Sequence, residues 1–196
     1  MPASTTPGTL AVTGDHDADL LVNTDPLALL IGMLLDQQVP MEWAFRGPET
    51  LLRRLGSLDA SEIAAMDPEN LDATCRTKPA IHRFPGSMAK RIQGLCEHLV
   101  GVYGGDAGAI WSTAVSGTEL RERLESLPGY GPEKSRIFVA ILAKRFGVTP
   151  DGWEEAAGPF ADDVPRSVAD IDGPEALETV RAWKKQQKAK GKTKQE

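Results

Sequence analysis

Apolar residues recur along most of this chain three and four positions apart, the spacing of a helix face, and no strong run alternates as a strand would. The most apolar stretch is LALLIGMLL at 27–35. Leu27, Leu30, Ile31, Leu34 and Leu35 form one face and Leu29 and Met33 widen it, so this helix is expected to be central and buried. Thr24-Asp25-Pro26 starts it, a capping residue followed by proline at the first helical position. Asp36-Gln37-Gln38 ends it, before Val39-Pro40. Shorter amphipathic helices are predicted from Pro48 to Gly56, from Ser61 to Met66 and from Asp67 to Cys75. A longer one opens at Ser87, carries Ile92, Leu95, Leu99 and Val102 on its apolar face, and stops near Gly104-Gly105. Asp106 caps a short turn to Trp111. Helices from Thr118 to Ser126 and from Pro132 to Phe146 flank a glycine-rich turn, and a last one runs from Pro174 to about Lys188. Residues 1–8 are expected to be disordered, and 9–23 to hold a short extended piece and a helical turn. The predicted fold class is all-α with two helical lobes. The helix at 26–38 is expected to pack with the C-terminal helices, and helices within 47–146 to make the other lobe.

A hydrophobic content of 41% suits a globular protein, and no apolar run approaches the ~20 residues of a membrane span. Acidic rather than basic residues precede the apolar stretch, unlike a signal peptide, so a cytoplasmic location without membrane contact is expected. Cys75 and Cys96 are too few for a four-thiolate cluster and show no paired spacing. They are expected as reduced thiols in or near the core. His16, His82 and His98 are scattered, and no metal site is expected.

The net charge of −6 at first argues against a polyanionic partner, but its distribution changes the picture. The stretch RAWKKQQKAKGKTKQE, Arg181 to Glu196, holds seven basic residues and one acidic, so the preceding 180 residues carry −12. The chain divides accordingly into an N-terminal segment (1–23), a domain (24–180) and a mobile basic tail (181–196). Such a tail either aids solubility or tracks phosphates.

The stretch LPGYGPEKS at 127–135 bears most directly on chemistry. Gly129 and Gly131 lack side chains and can take positive φ, so the turn can aim consecutive main-chain amides outward. The helix starting at Pro132 adds its positive end, a ready anion site. Lys134 and Arg136 lie on its first turn within reach of flanking phosphates, and Tyr130 and Ser135 complete the expected contact set. Such an anchor positions a protein on nucleic acid without reading sequence.

Three stretches, LPGYGPEKSRIFVAIL, LLIGMLLDQQVP and HRFPGSMAKRIQGLCEHLV, resemble in order and spacing the helix-hairpin-helix (HhH-GPD) DNA glycosylase superfamily, the group that includes endonuclease III. The likeness covers roughly 25–155 and is closest to small bacterial helix-hairpin-helix base-excision repair proteins. It implies flipping of a damaged or mispaired base out of double-stranded DNA and cleavage of its N-glycosidic bond, by a protein expected to be a monomer. Relatives with an iron–sulfur cluster carry four cysteines after the hairpin; this chain has none there, so no cluster is expected. A monovalent cation at the hairpin carbonyls is compatible with such folds.

Bifunctional relatives place a lysine two residues after the second hairpin glycine. Here that residue is Glu133, and Lys134 follows 100° further round the helix, so a Schiff-base lyase is not expected. In monofunctional relatives an aspartate about eighteen residues on stabilises the sugar cation and activates water. The count lands on Asp151, which also begins a capping-box spacing with Glu154; Asp162 and Asp163 are alternatives if the loop is longer. By the same resemblance Gln37 and Gln38 would fill the gap left in the duplex or bond the orphan base. Trp43, Phe45, Tyr130 or Trp153 would stack on the flipped base, and Ser87 with Lys90 and Arg91 would hold a second phosphate. The alternative is a non-catalytic DNA-binding module that keeps the hairpin and has lost the chemistry.

Overall fold

The computed structural model describes residues 7–193 and 195. Eleven α-helices and two 3-10 turns make up the regular structure among them, with no strand. The expected disorder at 1–8 falls, for residues 1–6, outside the described residues, as do Lys194 and Glu196 of the tail. Helix α1 (His16–Thr24) is a full helix rather than a single turn, because Asp15 caps the amides of Asp17 and Ala18. Before it, Gly8 and Leu10 pair with Asn23, and Thr9 with the Arg145 carbonyl, so the N-terminal segment is tied both to α1 and to a distant part of the chain.

Helix α2 (Pro26–Leu35) is capped by Asp25 and buries nine of its ten residues. Helix α3 (Met41–Leu55) starts seven residues before its expected beginning. Pro48 sits inside it, next to Gly47, where any side chain would overlap Leu35 of α2. The small residue thus lets α2 and α3 approach closely, and that packing outweighs the local cost of an internal proline. Helices α4 (Ala60–Ala65) and α5 (Pro68–Arg76) pack against α6 (Pro85–Tyr103). Ser87 does not cap α6: the helix begins at Pro85 with Phe84 at its cap position.

After the short α7 (Ala109–Ser112), α8 (Gly117–Glu125) and α9 (Pro132–Phe146) form a helical hairpin joined at 126–131. Helix α10 (Trp153–Ala157) packs across both, and the 3-10 turns Gly158–Ala161 and Val168–Asp170 pack on α9. Helix α11 (Pro174–Ala189) continues through half of the segment expected as a mobile tail, so the boundary placed at 181 falls in mid-helix. Arg181 pairs with Glu42 of α3 and Lys184 touches the Met41 sulfur, which fastens α11 to the start of α3.

The helices fall into the two groups α4–α6 and α8–α11, with α2 and α3 between them and one continuous apolar core throughout. Cys75 and Cys96 are buried in that core, and desolvation pushes both thiols up to about 12, Asp72 adding to the shift at Cys75 and Asp59 at Cys96. No single helix among the described residues is long and apolar enough to cross a membrane.

Candidate nucleic-acid interface

The turn between α8 and α9 is on the surface. Gly129 and Gly131 are both exposed. Gly129 takes φ +84°, whereas Gly131 is extended at φ −92° and serves as the N-cap of α9. Within the turn the Tyr130 amide donates to the Leu127 carbonyl, and the Ser135 amide to that of Gly131. The amides of Gly129 and Gly131 have no acceptor among the described residues. Two outward main-chain donors therefore stand at the positive end of a 15-residue helix. A Cβ on Gly131 would meet nothing, so a ligand has open access there; a Cβ on Gly129 would come within 2.5 Å of Leu34 Cδ1.

Other expected contacts turn inward. Tyr130 is buried and its hydroxyl donates to the Leu30 carbonyl at 2.7 Å, and burial raises the phenol well above its ordinary value. Ser135 is fully buried and cannot reach DNA, because its face of the first turn of α9 packs against the core. Lys134 donates to the carbonyls of Met33 (2.6 Å) and Leu34 (3.1 Å), closing the C-terminal end of α2. A cation satisfying the last carbonyls of a buried helix is well placed electrostatically, and this bond anchors the hairpin to α2. Arg136 is half-buried on the first turn of α9, where Gln195 bridges it and Glu133 at 3.4 and 3.2 Å.

Helix α6 lies beside the hairpin: Arg91 Cδ would be 3.9 Å from a Cβ on Gly129, and Pro128 Cβ the same distance from one on Gly94. Ser87, Lys90 and Arg91 are exposed along that end of α6. Arg91 also donates to Gln37 Oε1 at 2.7 Å, while Gln37 Nε2 donates to the Leu34 carbonyl. Gln37 is thus a structural tie between α2 and α6 rather than a free plug. Gln38 is different. It is exposed and held at φ +58°, the one non-glycine residue with positive φ among those described. Such a backbone costs roughly 1–2 kcal/mol and survives only where its surroundings impose it.

Trp43 stands in an aromatic group with His82 and Phe84, two residues that the sequence pattern did not single out. His82 is buried; its Nδ1 accepts from the Phe84 amide, so its Nε2 carries the proton and donates to the Gln37 carbonyl at 2.9 Å. The ring lies between Trp43 and Phe84, with centroids 6.4 and 6.1 Å away. Phe84 is 44% exposed and Arg83 lies over its ring at 5.3 Å. An apolar residue in a cap position usually held by a polar one was the available signal. Of the aromatic residues expected to stack on a base, only Trp43 is exposed, and its indole N–H is bonded to the Ala80 carbonyl. Phe45 is core, and Trp153 packs partly buried against it.

The three expected carboxylates do not join this site. The Asp151 carbonyl accepts from the Gly117 amide at the start of α8, about 12 Å of helix away from the turn. Asp151 is exposed and is not a cap, because Gly152 occupies that position of α10 without a side-chain bond. Asp162 pairs with Arg166 at 2.6 Å, and its carbonyl accepts from Lys144 in the last turn of α9, with Asp163 following it. Helix α9 runs unbroken to Phe146, so the loop carrying all three residues leaves from the end opposite the turn.

Acidic residues other than these do lie at this end, among them Glu133, Glu42 and Asp36. Asp36 follows the last residue of α2 and, with Gln37, Gln38, Glu42, Arg181 and Lys184, lines a polar cavity of about 330 Å³ between the α2–α3 turn and α11. Among the described residues no cluster of His, Cys, Asp or Glu could hold a metal ion.

Residues 31–196 match the family described as HhH-GPD superfamily base excision DNA repair protein, a span holding the α2 end, the hairpin and α11. No curated protein and no solved structure matches the chain. The buried apolar helix, the glycine turn with outward amides and the family match agree: the chain belongs to the HhH-GPD superfamily of base excision DNA repair proteins.

Proposed function

We propose that the protein is a monofunctional DNA glycosylase that grips double-stranded DNA, turns a damaged or mispaired base out of the stack and hydrolyses its N-glycosidic bond. The observation that carries this reading is the pair of exposed glycine amides without an acceptor at the head of α9. Lys90 and Arg91 on α6 supply positive charge beside them, and phosphate contacts of this kind fix register on the duplex. Gln38, strained and exposed, suits a residue that enters the gap left by a flipped base, and Phe84 suits an apolar wedge between base steps. A lyase step lacks its amine, since Glu133 holds the expected position and Lys134 is engaged by α2. The carbonyls of Ser126, Pro128 and Gly129, unclaimed among the described residues, would be the ligands of a monovalent cation. The chemistry needs no metal, and we place the protein in the cytoplasm as a monomer away from membranes.

A second reading, a binding module without chemistry, is favoured by the distance of Asp151, Asp162 and Asp163 from the turn. Excision from duplexes carrying uracil, hypoxanthine, an oxidised guanine, an alkylated purine or a mismatch separates the two. The glycosylase reading expects strand breaks at one of these bases only after alkali. Breaks without alkali contradict the monofunctional assignment. No excision from any duplex, with salt-dependent binding retained, favours the module.

A further inference from the structure

We infer that the basic end of α11 is a second DNA-binding surface, which takes phosphates of the duplex beside those held by the hairpin; this rests on the reading above of the hairpin as a grip on double-stranded DNA. Charge is sorted along this helix. Its first half carries Glu175 and Glu178, just after Asp172, and no acidic residue follows until Glu196. Between Glu178 and Glu196 stand Arg181 and six lysines. The fold aims the two halves at opposite ends of α9. Asp172, before α11, pairs with Arg145 in the last turn of α9, and Gln195, beyond α11, bonds Arg136 and Glu133 at the start of α9. Helix α11 therefore runs back along α9, and its basic half arrives beside the turn that carries the outward glycine amides.

These lysines are held in place. Gly191 takes φ +69°, and the amides of Lys190, Gly191 and Lys192 donate to the carbonyls of Gln186, Lys188 and Gln187, which closes the helix and folds Lys192 back on it. Trp183, Lys184, Lys188 and Lys192 line an open hollow of about 410 Å³, with Arg166 over the Trp183 ring at 5.4 Å. Lys185, Lys188, Lys190 and Lys192 are exposed. Stabilising the helix end does not account for them, because that effect fades within the last turn and Lys190 and Lys192 lie beyond Ala189. Solubility does not either, since the preceding 180 residues already carry −12. That acidic body repels a duplex, and the hairpin cannot offset it alone: Lys134 is turned onto α2, and Glu133 adds a negative charge. The end of α11 brings the missing cations to the same place. A duplex presents a negative charge about every 1.7 Å along its axis, so several of these lysines meet phosphates at once.

The test measures binding of the full chain to a short undamaged duplex over a range of salt concentrations. A variant carrying Lys185→Gln, Lys188→Gln, Lys190→Gln and Lys192→Gln keeps good helix formers at these positions, and its circular dichroism is expected to match the wild type. The slope of log affinity against log salt is expected to flatten by about two or more, since each phosphate contact contributes about 0.9. Affinity is expected to fall about tenfold or more at about 0.1 M salt, and to match the wild type near about 1 M. Arginine at the same four positions is expected to keep the slope. Gly131→Ala, which removes an uncharged contact, is expected to weaken binding and leave the slope in place. An unchanged slope in the glutamine variant overturns the inference. So does a Gly131→Ala variant that binds as well as the wild type, because the duplex would then lie on α11 without passing the hairpin. Excision is read separately. A flattened slope in a protein that excises nothing from the panel keeps this surface and removes the glycosylase reading; excision with an unflattened slope does the reverse.

Discussion

Two turns meet at this end of the molecule, and they expose opposite parts of the chain. The hairpin at 127–131 exposes its main chain: Gly129 and Gly131 present amides, while the side chains around them, Tyr130 and Ser135, are spent on packing. The α2–α3 turn at 36–40 presents side chains instead, with Gln38 exposed on a backbone that it adopts only at a cost. A main-chain device depends on residues that lack something, and a side-chain device on residues that packing brings together. The two therefore respond differently to substitution.

The largest expected effect is on the fold of the hairpin. Gly129→Val places a branched side chain at φ +84° and against buried Leu34, and is expected to lower stability by about 3 kcal/mol or more, read by urea unfolding. Lys134→Met comes next. It leaves two carbonyls at the end of α2 without their cation and is expected to cost about 1–2 kcal/mol. The salt dependence of duplex binding should stay the same, as it would not if Lys134 were a phosphate contact. Gly131→Ala separates binding from folding. The site has room for the methyl group, so stability is expected to change by less than about 1 kcal/mol. Duplex affinity is expected to fall about tenfold as the phosphate is kept from the amide, a loss of about 1.4 kcal/mol.

Gln38→Gly turns the comparison round. Relief of the left-handed backbone is expected to raise the unfolding free energy by up to about 1 kcal/mol. Excision is expected to fall at the same time, because the inserted side chain is gone. The smallest effect is on the cysteines. Buried thiols pushed up to about 12 should not react with a thiol reagent at pH 8 until the chain unfolds.

The same contrast explains what the sequence revealed. Helix α2 was legible because a run of apolar residues after Asp25-Pro26 leaves no other place for it than the core. The hairpin was legible because two glycines before a helix-starting proline are a local signal, complete within ten residues. Asp151 was chosen by counting along the chain, and counting assumes a helix of fixed length. Helix α9 runs to Phe146 and delivers Asp151 to the wrong end. The inward turn of Lys134 depends on α2, a hundred residues earlier, and no local pattern announces it. The expected helix from Pro174 to about Lys188 is present, but the separate mobile tail from 181 is not: its basic residues suggested solvation, yet α11 extends through them as far as Ala189, held by Arg181 against Glu42.

The most direct measurement of the central claim follows the amide resonances of Gly129 and Gly131 as a short duplex is added to the ¹⁵N-labelled protein. The proposed interface predicts that both move among the largest shifts in the spectrum and that the movement weakens as salt rises. Glycine amides that stay in place while the residues beyond Ala189 shift would show that DNA is held by the tail and not by the hairpin.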